Sequence, residues 1–390
     1  MKNKRCFIML IVFTLIFAGN GCSSIPSDVQ FQDVSHVIQS GEKANTDTHD
    51  GYYFELLNYY KQNLYMKNGY TLSKWVYEND EYSCEKTIPL SQLFPQEYQN
   101  TDQTIEYVNN YAKNTVSCDG RFICIFDAKD PSAFYLWDTD VDDLYNIKPL
   151  SPIRKIQWAD NESLLYILTE ENKLYCIDPV SRNMTVTLKK ISIPDVNEEN
   201  IHLLKDGVIF YNGLEVLFAS SESTEKSIVD NVIEFYGIYN NTLVVKRMDN
   251  KVEAGFIEDK WNPFYSEKID YCNPINGQYL QIHATENHDE VKLLDLMSGN
   301  ISSFKTLGYG YELFPKTNVI MFYDSKGSPN ILKPDGNSIP LQLGHSEPYF
   351  NNTSVISILT HEADNKMNLQ LFSLEDAQWL LLNINNKGEK

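Results

Sequence analysis

The sequence predicts an all-β protein, a single β-propeller with eight blades or, as the alternative, seven. Segments with one plan (an apolar strand, a polar turn and a second, alternating strand) recur about every 40 residues. Asp-Gly, Asn-Gly or Asn-Asn pairs, which suit hairpin turns, precede an apolar strand in several repeats. Long helices are not indicated. Four short strands in each repeat are what one propeller blade requires.

The first 22 residues indicate where the protein works. Three basic residues open the chain, residues 6–18 are almost wholly apolar, and Gly19-Asn20-Gly21-Cys22 has the small residues of a cleavage site. The apolar run is shorter than the ~20 residues of a membrane-spanning helix. The pattern resembles a bacterial lipoprotein signal, which implies lipidation of Cys22 and attachment to the extracytoplasmic face of the cell membrane. A secreted form cleaved nearby and a retained membrane anchor stay open as alternatives.

The chain divides into four predicted segments. They are a signal peptide at 1–21, the lipidated Cys22 with a polar tether at 22–50, the propeller at 51–386, and a polar tail at 387–390. Within the tether, Val29 to Ile38 alternates well enough to be a strand.

Eight hairpins are predicted along the propeller. They begin at Tyr70, Ala133, Lys173, Leu214, Val252, Val291, Asn330 and Asn368. Their turns fall near Glu78, Asp138, Asp178, Ser220, Glu258, Asp295, Pro334 and Ser373. An insertion separates the first two hairpins, and Tyr98, Ile105, Val108 and Ala112 are spaced to form one face of a short helix there, over residues 91–112.

An open propeller would leave two unpaired sheet edges and half-packed end blades. We therefore predict that a strand from the N-terminal region closes the ring beside the C-terminal strand Leu380 to Ile384. The two candidates for that strand are Val29 to Ile38 and Tyr52 to Leu57.

Two of the repeats carry a family resemblance. SCDGRFICIF followed by FYLWDTD, and WADNESLLYILTEENKLYCIDPVSRN after it, resemble the Ser-Pro-Asp-Gly repeat of the TolB-like, WD40-related propellers. Cys118 stands where that family has proline. The resemblance covers residues 51–385 and implies the fold, but it implies no particular function, because propellers host many.

Composition excludes some functions. The chain has a formal net charge of −20, and removing Lys2, Lys4 and Arg5 leaves 30 basic residues against 53 acidic ones, near −23. This balance opposes nucleic acid binding. Beyond Cys6 and Cys22, five cysteines remain (Cys84, Cys118, Cys124, Cys176 and Cys272), without zinc-site spacing, and free thiols are expected.

Candidate sites are few. Asp138, Asp140 and Asp142 are a weak calcium candidate, but Asp143 and Pro149 stand where an EF-hand needs glycine and glutamate. The competing interpretation is an ordinary solvated hairpin turn. His283 and His288 flank one loop without a recognised metal-ligand spacing. No catalytic residue is predicted, since the sequence contains no GxSxG, GxGxxG or GxxxxGK[ST] motif.

These observations favour a membrane-anchored binding or scaffold module for a protein, peptide or glycan, without catalysis, without a cofactor and monomeric. A sensory or accessory subunit of a membrane complex is one alternative. An extracytoplasmic enzyme acting on glycans or peptides, with its site in the central channel, is the other. The five tryptophans are expected to pack between blades rather than to stack on sugars.

Overall fold

The computed structural model consists almost wholly of antiparallel strands. It describes residues 29–41, 55–68, 71–78, 81–94, 112–127, 132–149, 151–188, 191–220, 223–239, 241–257, 261–269, 271–275, 279–283, 290–305, 308–314, 319–324, 326–332, 338–340, 348–350, 355–361, 367–373 and 378–384. Within these ranges the strands form eight sheets, each with four strands consecutive in the chain.

The strands are numbered in chain order. Two N-terminal strands, β1 (Val29–Asp33) and β2 (Gln39–Ser40), flank a short 3-10 turn at Ser35–Val37. The first sheet contains β3 (Glu55–Tyr60), β4 (Asn63–Asn68), β5 (Thr71–Glu78) and β6 (Glu81–Pro89), followed by the one-turn helix α1 (Leu90–Leu93). The second contains β7 (Ala112–Val116), β8 (Phe122–Asp127), β9 (Phe134–Asp138) and β10 (Asp143–Pro149).

The middle sheets follow the same plan. The third contains β11 (Ile153–Trp158), β12 (Leu165–Thr169), β13 (Leu174–Asp178) and β14 (Asn183–Leu188). After a second 3-10 turn at Glu198–Asn200, the fourth contains β15 (Ile201–Leu204), β16 (Gly207–Tyr211), β17 (Val216–Ser220) and β18 (Ser223–Val229). The fifth contains β19 (Val232–Tyr239), β20 (Thr242–Arg247), β21 (Lys251–Phe256) and β22 (Tyr265–Lys268).

Three more sheets complete the described chain. The sixth contains β23 (Tyr271–Ile275), β24 (Tyr279–His283), β25 (Glu290–Asp295) and β26 (Ile301–Lys305). The seventh contains β27 (Gly308–Phe314), β28 (Val319–Asp324), β29 (Pro329–Leu332) and β30 (Ser338–Pro340). The eighth contains β31 (Pro348–Phe350), β32 (Val355–His361), β33 (Met367–Ser373) and β34 (Gln378–Ile384).

All eight predicted hairpins are present, each as the last two strands of one sheet. From the first sheet to the sixth, consecutive sheets pack face to face, which explains why their strands are apolar on both sides. In β8, Ile123 and Ile125 pack with the first sheet, whereas Phe122 and Cys124 pack with the third. Alternate side chains of a strand point to opposite faces. Sheets that pack one after another, each with its first strand innermost, have the arrangement of a β-propeller.

The N-terminal strands do not pair as predicted. β1 adds to the outer edge of the second sheet through β10, and β2 adds to the outer edge of the first sheet through β6. The prediction that an N-terminal strand pairs beside the C-terminal strand is therefore wrong for Val29 to Ile38. Of the other candidate, residues 52–54 lie outside the described part, and residues 55–57 begin β3, which pairs with β4. β34 pairs with β33 only, among the strands described. The first strand of the first sheet, β3, instead contacts the first strand of the eighth, β31, as a closed ring requires.

Two smaller predictions also change. The segment predicted as a tether contains β1 and β2, so Val29–Asp33 and Gln39–Ser40 belong to the folded part. Of the helix predicted over residues 91–112, the structure has α1 at Leu90–Leu93, and Ala112 begins β7. Residues 95–111, with Tyr98, Ile105 and Val108, lie outside the described part.

Candidate functional site

A cavity of about 280 Å³ lies between the second sheet, the third sheet and the connection that leads into the fourth sheet. It is formed by the end of β8, by β11, and by the 3-10 turn that leads into β15. Its lining residues are Phe126, Ile153, Arg154, Lys155, Ile156, Glu198 and Glu199. β11 is the first, inner strand of its sheet and contacts β7, the first strand of the second sheet.

A β-bulge explains how one strand supplies four neighbouring residues to this cavity. The pairing of β11 with β12 shifts register between Ile153 and Lys155, so Arg154 is the extra residue on the bulged strand. A bulge breaks the strict alternation of a strand and re-aims its side chains. Ile153, Arg154, Lys155 and Ile156 therefore all line the same space.

Both cations of this strand are held by uncharged acceptors. Arg154 donates to Asn172 Oδ1 at 3.2 Å and to the backbone oxygens of Pro194 and Val196 at 3.1 and 2.9 Å. Lys155 Nζ donates to the backbone oxygen of Glu198 at 2.8 Å and to that of Ile201. The two side chains thus fix the connection between the third and fourth sheets against β11.

Burial controls the protonation of this region. It lowers the pKa of Lys155 to about 8, against the opposing effect of the Glu198 and Glu199 carboxylates. Burial, together with the positive charge of Lys155, lowers the pKa of His202 on β15 to about 4. Gln157 Nε2 lies 3.3 Å from the ring nitrogens of His202, and Gln157 Oε1 accepts a hydrogen bond of 3.0 Å from the Leu203 amide. At neutral pH, Lys155 is therefore mostly charged and His202 neutral.

The calcium candidate lies at the opposite ends of the strands, in the turn between β9 and β10. Each of its carboxylates faces a cation. Asp138 accepts two hydrogen bonds from Arg121, at 2.9 and 2.7 Å.

The other two carboxylates are paired with the first sheet. Asp140 accepts from Lys61 at 2.7 and 2.8 Å, and Asp142 accepts from Lys74 at 3.0 and 3.2 Å. Protein cations thus supply the charge compensation that calcium would give. Within the described residues, no three His, Cys, Asp or Glu side chains are grouped to hold a metal ion. The calcium site stays a prediction.

The corresponding turns of other sheets support the hairpin interpretation of this segment. Asp178 accepts from the amides of Val180 and Ser181 and from the Ser181 hydroxyl. Asp295 accepts in the same way from Met297 and Ser298. An aspartate that bonds the amides following it stabilises a turn locally, which is sufficient reason for its position.

The cysteines and tryptophans match most of the sequence-based expectations. Among the described residues, no two of these five cysteines form a disulfide; Cys124, Cys176 and Cys272 are buried, Cys84 is half-buried, and Cys118 is exposed.

Trp137 is fully buried and packs edge to face with Tyr65, with 5.3 Å between the ring centroids. Trp158 stacks on Phe122, with 6.3 Å between the ring centroids. Trp75 and Trp261 are half-buried and donate to Ser73 and Glu253. Packing is thus confirmed for Trp137 and Trp158.

Some predicted residues lie outside the described part. They include Cys22, His288 and the side chain of His283. None of the helices in the described ranges is long and apolar enough to cross a membrane.

No protein-family model matches the chain, and no curated protein is significantly similar to it in sequence. Solved structures of similar architecture include the C-terminal WD40 domain of Sif2, at 9% identity and a TM-score of 0.44, covering 81% of this chain and 94% of that one. The dihydro-heme d1 dehydrogenase NirN has 9% identity and a TM-score of 0.44, covering 85% and 73%. Porphyromonas gingivalis PorZ, a surface component of the type-IX secretion system, has 10% identity and a TM-score of 0.39, covering 84% and 45%.

One feature of the sequence marks the cavity. Arg154 and Lys155 stand side by side in the strand IRKIQW. The bulge that brings them to one side, and the connection that they bind, are properties of the folded chain.

Proposed function

We propose that this protein is a non-catalytic binding module whose ligand, a peptide, glycan or protein segment, occupies the cavity beside β11. The observation that supports this is the cavity itself, which combines apolar walls with charged groups. Ligand sites are typically concave, largely apolar and supplied with a few placed polar groups. Phe126, Ile153 and Ile156 supply the apolar wall, and the polar groups are the cations Arg154 and Lys155 and the carboxylates Glu198 and Glu199.

A blocking substitution tests this assignment. Glu198 is exposed at the cavity, and its side chain makes no hydrogen bond in the described part. Glu198→Trp should fill the space while leaving both cations in place. Glu78→Trp, at an exposed position in the first hairpin, is the matched control. Soluble peptide and glycan libraries would be screened by thermal shift against both variants and the wild type.

We expect at least one ligand to stabilise the wild type and Glu78→Trp but not Glu198→Trp. A ligand that stabilises all three equally binds elsewhere, and that result would overturn the assignment.

We further propose that the protein is a lipoprotein, TolB-like in its repeats, attached to the membrane by lipid at Cys22. The basic, apolar and small-residue pattern of residues 1–22 supports this. Cys22→Ser should abolish incorporation of a fatty-acid analogue and move the protein out of the membrane fraction. Unlabelled wild-type protein would show that the anchor does not exist.

One observation favours an enzyme as the second candidate. Lys155 lines the cavity with its pKa lowered to about 8 by burial, and lowered lysine pKa values occur at catalytic sites. However, both backbone oxygens that it holds would lose a donor if the amine reacted. Turnover of a bound peptide or glycan that stops in Lys155→Arg would favour this candidate, and turnover unaffected by that substitution would contradict it.

A further inference from the structure

Arg154 and Lys155 carry more hydrogen-bond donors than their contacts use. A guanidinium has five N–H donors and an ammonium has three. Arg154 makes three hydrogen bonds and Lys155 makes two within the described part of the chain. Three charged donors, two on Arg154 and one on Lys155, are therefore not engaged by any described residue.

Glu198 and Glu199 line the same cavity and act electrostatically on Lys155, but neither forms an ion pair with Arg154 or Lys155. All five acceptors of these two cations are uncharged oxygens of the backbone or of Asn172. No carboxylate of the described residues makes an ion pair with either. The contrast with the turn between β9 and β10 is clear, because there Arg121, Lys61 and Lys74 each contact a carboxylate within 3.2 Å.

We infer that the cavity beside β11 binds the carboxylate group of its ligand, held by Arg154 and Lys155. A carboxylate accepts up to four hydrogen bonds and suits the planar fork of a guanidinium. At about 280 Å³, the cavity has room for one compact acidic group, such as a glutamate side chain or a uronic acid ring. This inference rests on the proposed binding function and defines the ligand chemistry.

The charged groups around Lys155 determine how binding depends on pH. Glu198 and Glu199 face it from the turn before β15, His202 faces it from β15, and Arg154 lies beside it. Between pH 7 and 9, arginine stays charged, ordinary carboxylates stay ionised, and His202, with a pKa of about 4, stays neutral. Lys155, with a pKa of about 8, is the group in this set that changes charge.

The test is calorimetric titration of the wild-type protein with matched charged and neutral probes. The charged probes are tri-galacturonate and a tri-glutamate peptide; the neutral ones are the methyl ester of the former and tri-glutamine. We expect the charged probe to bind at least tenfold more tightly than its neutral partner. Whether the sugar or the peptide binds more tightly distinguishes the two sources of the carboxylate.

Protonation supplies a readout that needs no variant. Since the charged fraction of Lys155 falls about tenfold from pH 7 to pH 9, affinity should fall by up to about tenfold. At pH 8, binding should take up as much as about half a proton, measured by comparing buffers with different ionisation heats. Proton release, or affinity constant over this range, would contradict the role of Lys155.

Variants locate the effect. Lys155→Met should weaken carboxylate binding at least tenfold, whereas Lys155→Arg, which keeps the charge, should restore most of it. Lys205→Met, at an exposed lysine of the fourth sheet, is the matched control. Equal affinity for charged and neutral probes, or full affinity in Lys155→Met, would overturn the inference. If the wild type instead binds a neutral ligand and Glu198→Trp prevents that binding, the carboxylate inference would be overturned while the proposed function would stand.

Discussion

The ion pair between Arg121 and Asp138 should be one of the strongest polar interactions in the second sheet. Arg121 lies in the turn between β7 and β8, and Asp138 ends β9. Two hydrogen bonds of 2.9 and 2.7 Å join the guanidinium to both carboxylate oxygens. The Asp138 side chain is only 8% exposed, so water cannot replace its partner fully. These hydrogen bonds also raise the pKa of Arg121.

We predict that Arg121→Met lowers the free energy of unfolding by about 3 kcal/mol. Removing one partner of a buried pair costs about 3–5 kcal/mol, because a charge is left buried and unpaired. Because the Arg121 side chain is 25% exposed, we expect the cost for this pair to lie at the low end of that energy range. Asp138→Asn should cost about 2 kcal/mol, and the double variant should cost about 3 rather than 5, a coupling of about 2 kcal/mol.

Urea unfolding followed by tryptophan fluorescence is the assay, since the buried Trp137 precedes Asp138 and packs on Tyr65. All four proteins of the cycle are compared under the same salt. A loss of less than about 0.5 kcal/mol in Arg121→Met, or strictly additive single losses, would refute the argument. The pair would then behave as an exposed surface pair does.

Three further outcomes are expected. Millimolar calcium should leave the melting temperature unchanged, because protein cations already face Asp138, Asp140 and Asp142; a rise with calcium and not with magnesium would establish the metal site. The free energy of unfolding of the wild type should fall by up to about 3 kcal/mol as the pH drops from 6.5 to 4, because the folded protein holds the pKa of His202 near 4 while the unfolded chain takes up its proton near 6.5. His202→Gln should remove this fall. Equal pH profiles of wild type and variant would contradict the prediction. Gly207→Ala should cost about 2–3 kcal/mol in urea unfolding, because the added methyl would lie 2.6 Å from the Ala219 backbone oxygen and 2.3 Å from the Phe218 ring; unchanged stability would count against that packing.

The predicted features that the structure contains are mainly local ones. Each hairpin is encoded by neighbouring residues, with alternating apolar positions on either side of a turn. Gly120, at φ +79°, and Asn241, at φ 65°, have the backbone conformation that their turn residues suggested. Gly207 is different: its φ is not positive, and it is glycine because Phe218 leaves no room for a side chain. No local pattern in the sequence contains that contact.

Features that depend on distant partners could not be predicted in this way. The alternation in Val29–Asp33 indicated a strand, but it did not indicate which sheet edge would accept it. The cavity has the same origin, since Arg154 and Lys155 gain their role from a bulge and from carbonyl groups about 40 residues later. The helix prediction failed at Ala112 because pairing with β8 overrides a weak helical periodicity.

The N-terminal strands also constrain the order in which the chain can fold. β1 is synthesised early, yet Val29 pairs with Pro149, 120 positions later. Contacts of such long sequence separation form slowly, and chains generally fold as they emerge, N-terminal part first. The first two sheets must therefore assemble while their outer edges are still uncovered. β1 and β2 then cover these edges by pairing with β10 and β6, so we expect this segment to be the last piece to join the first two sheets.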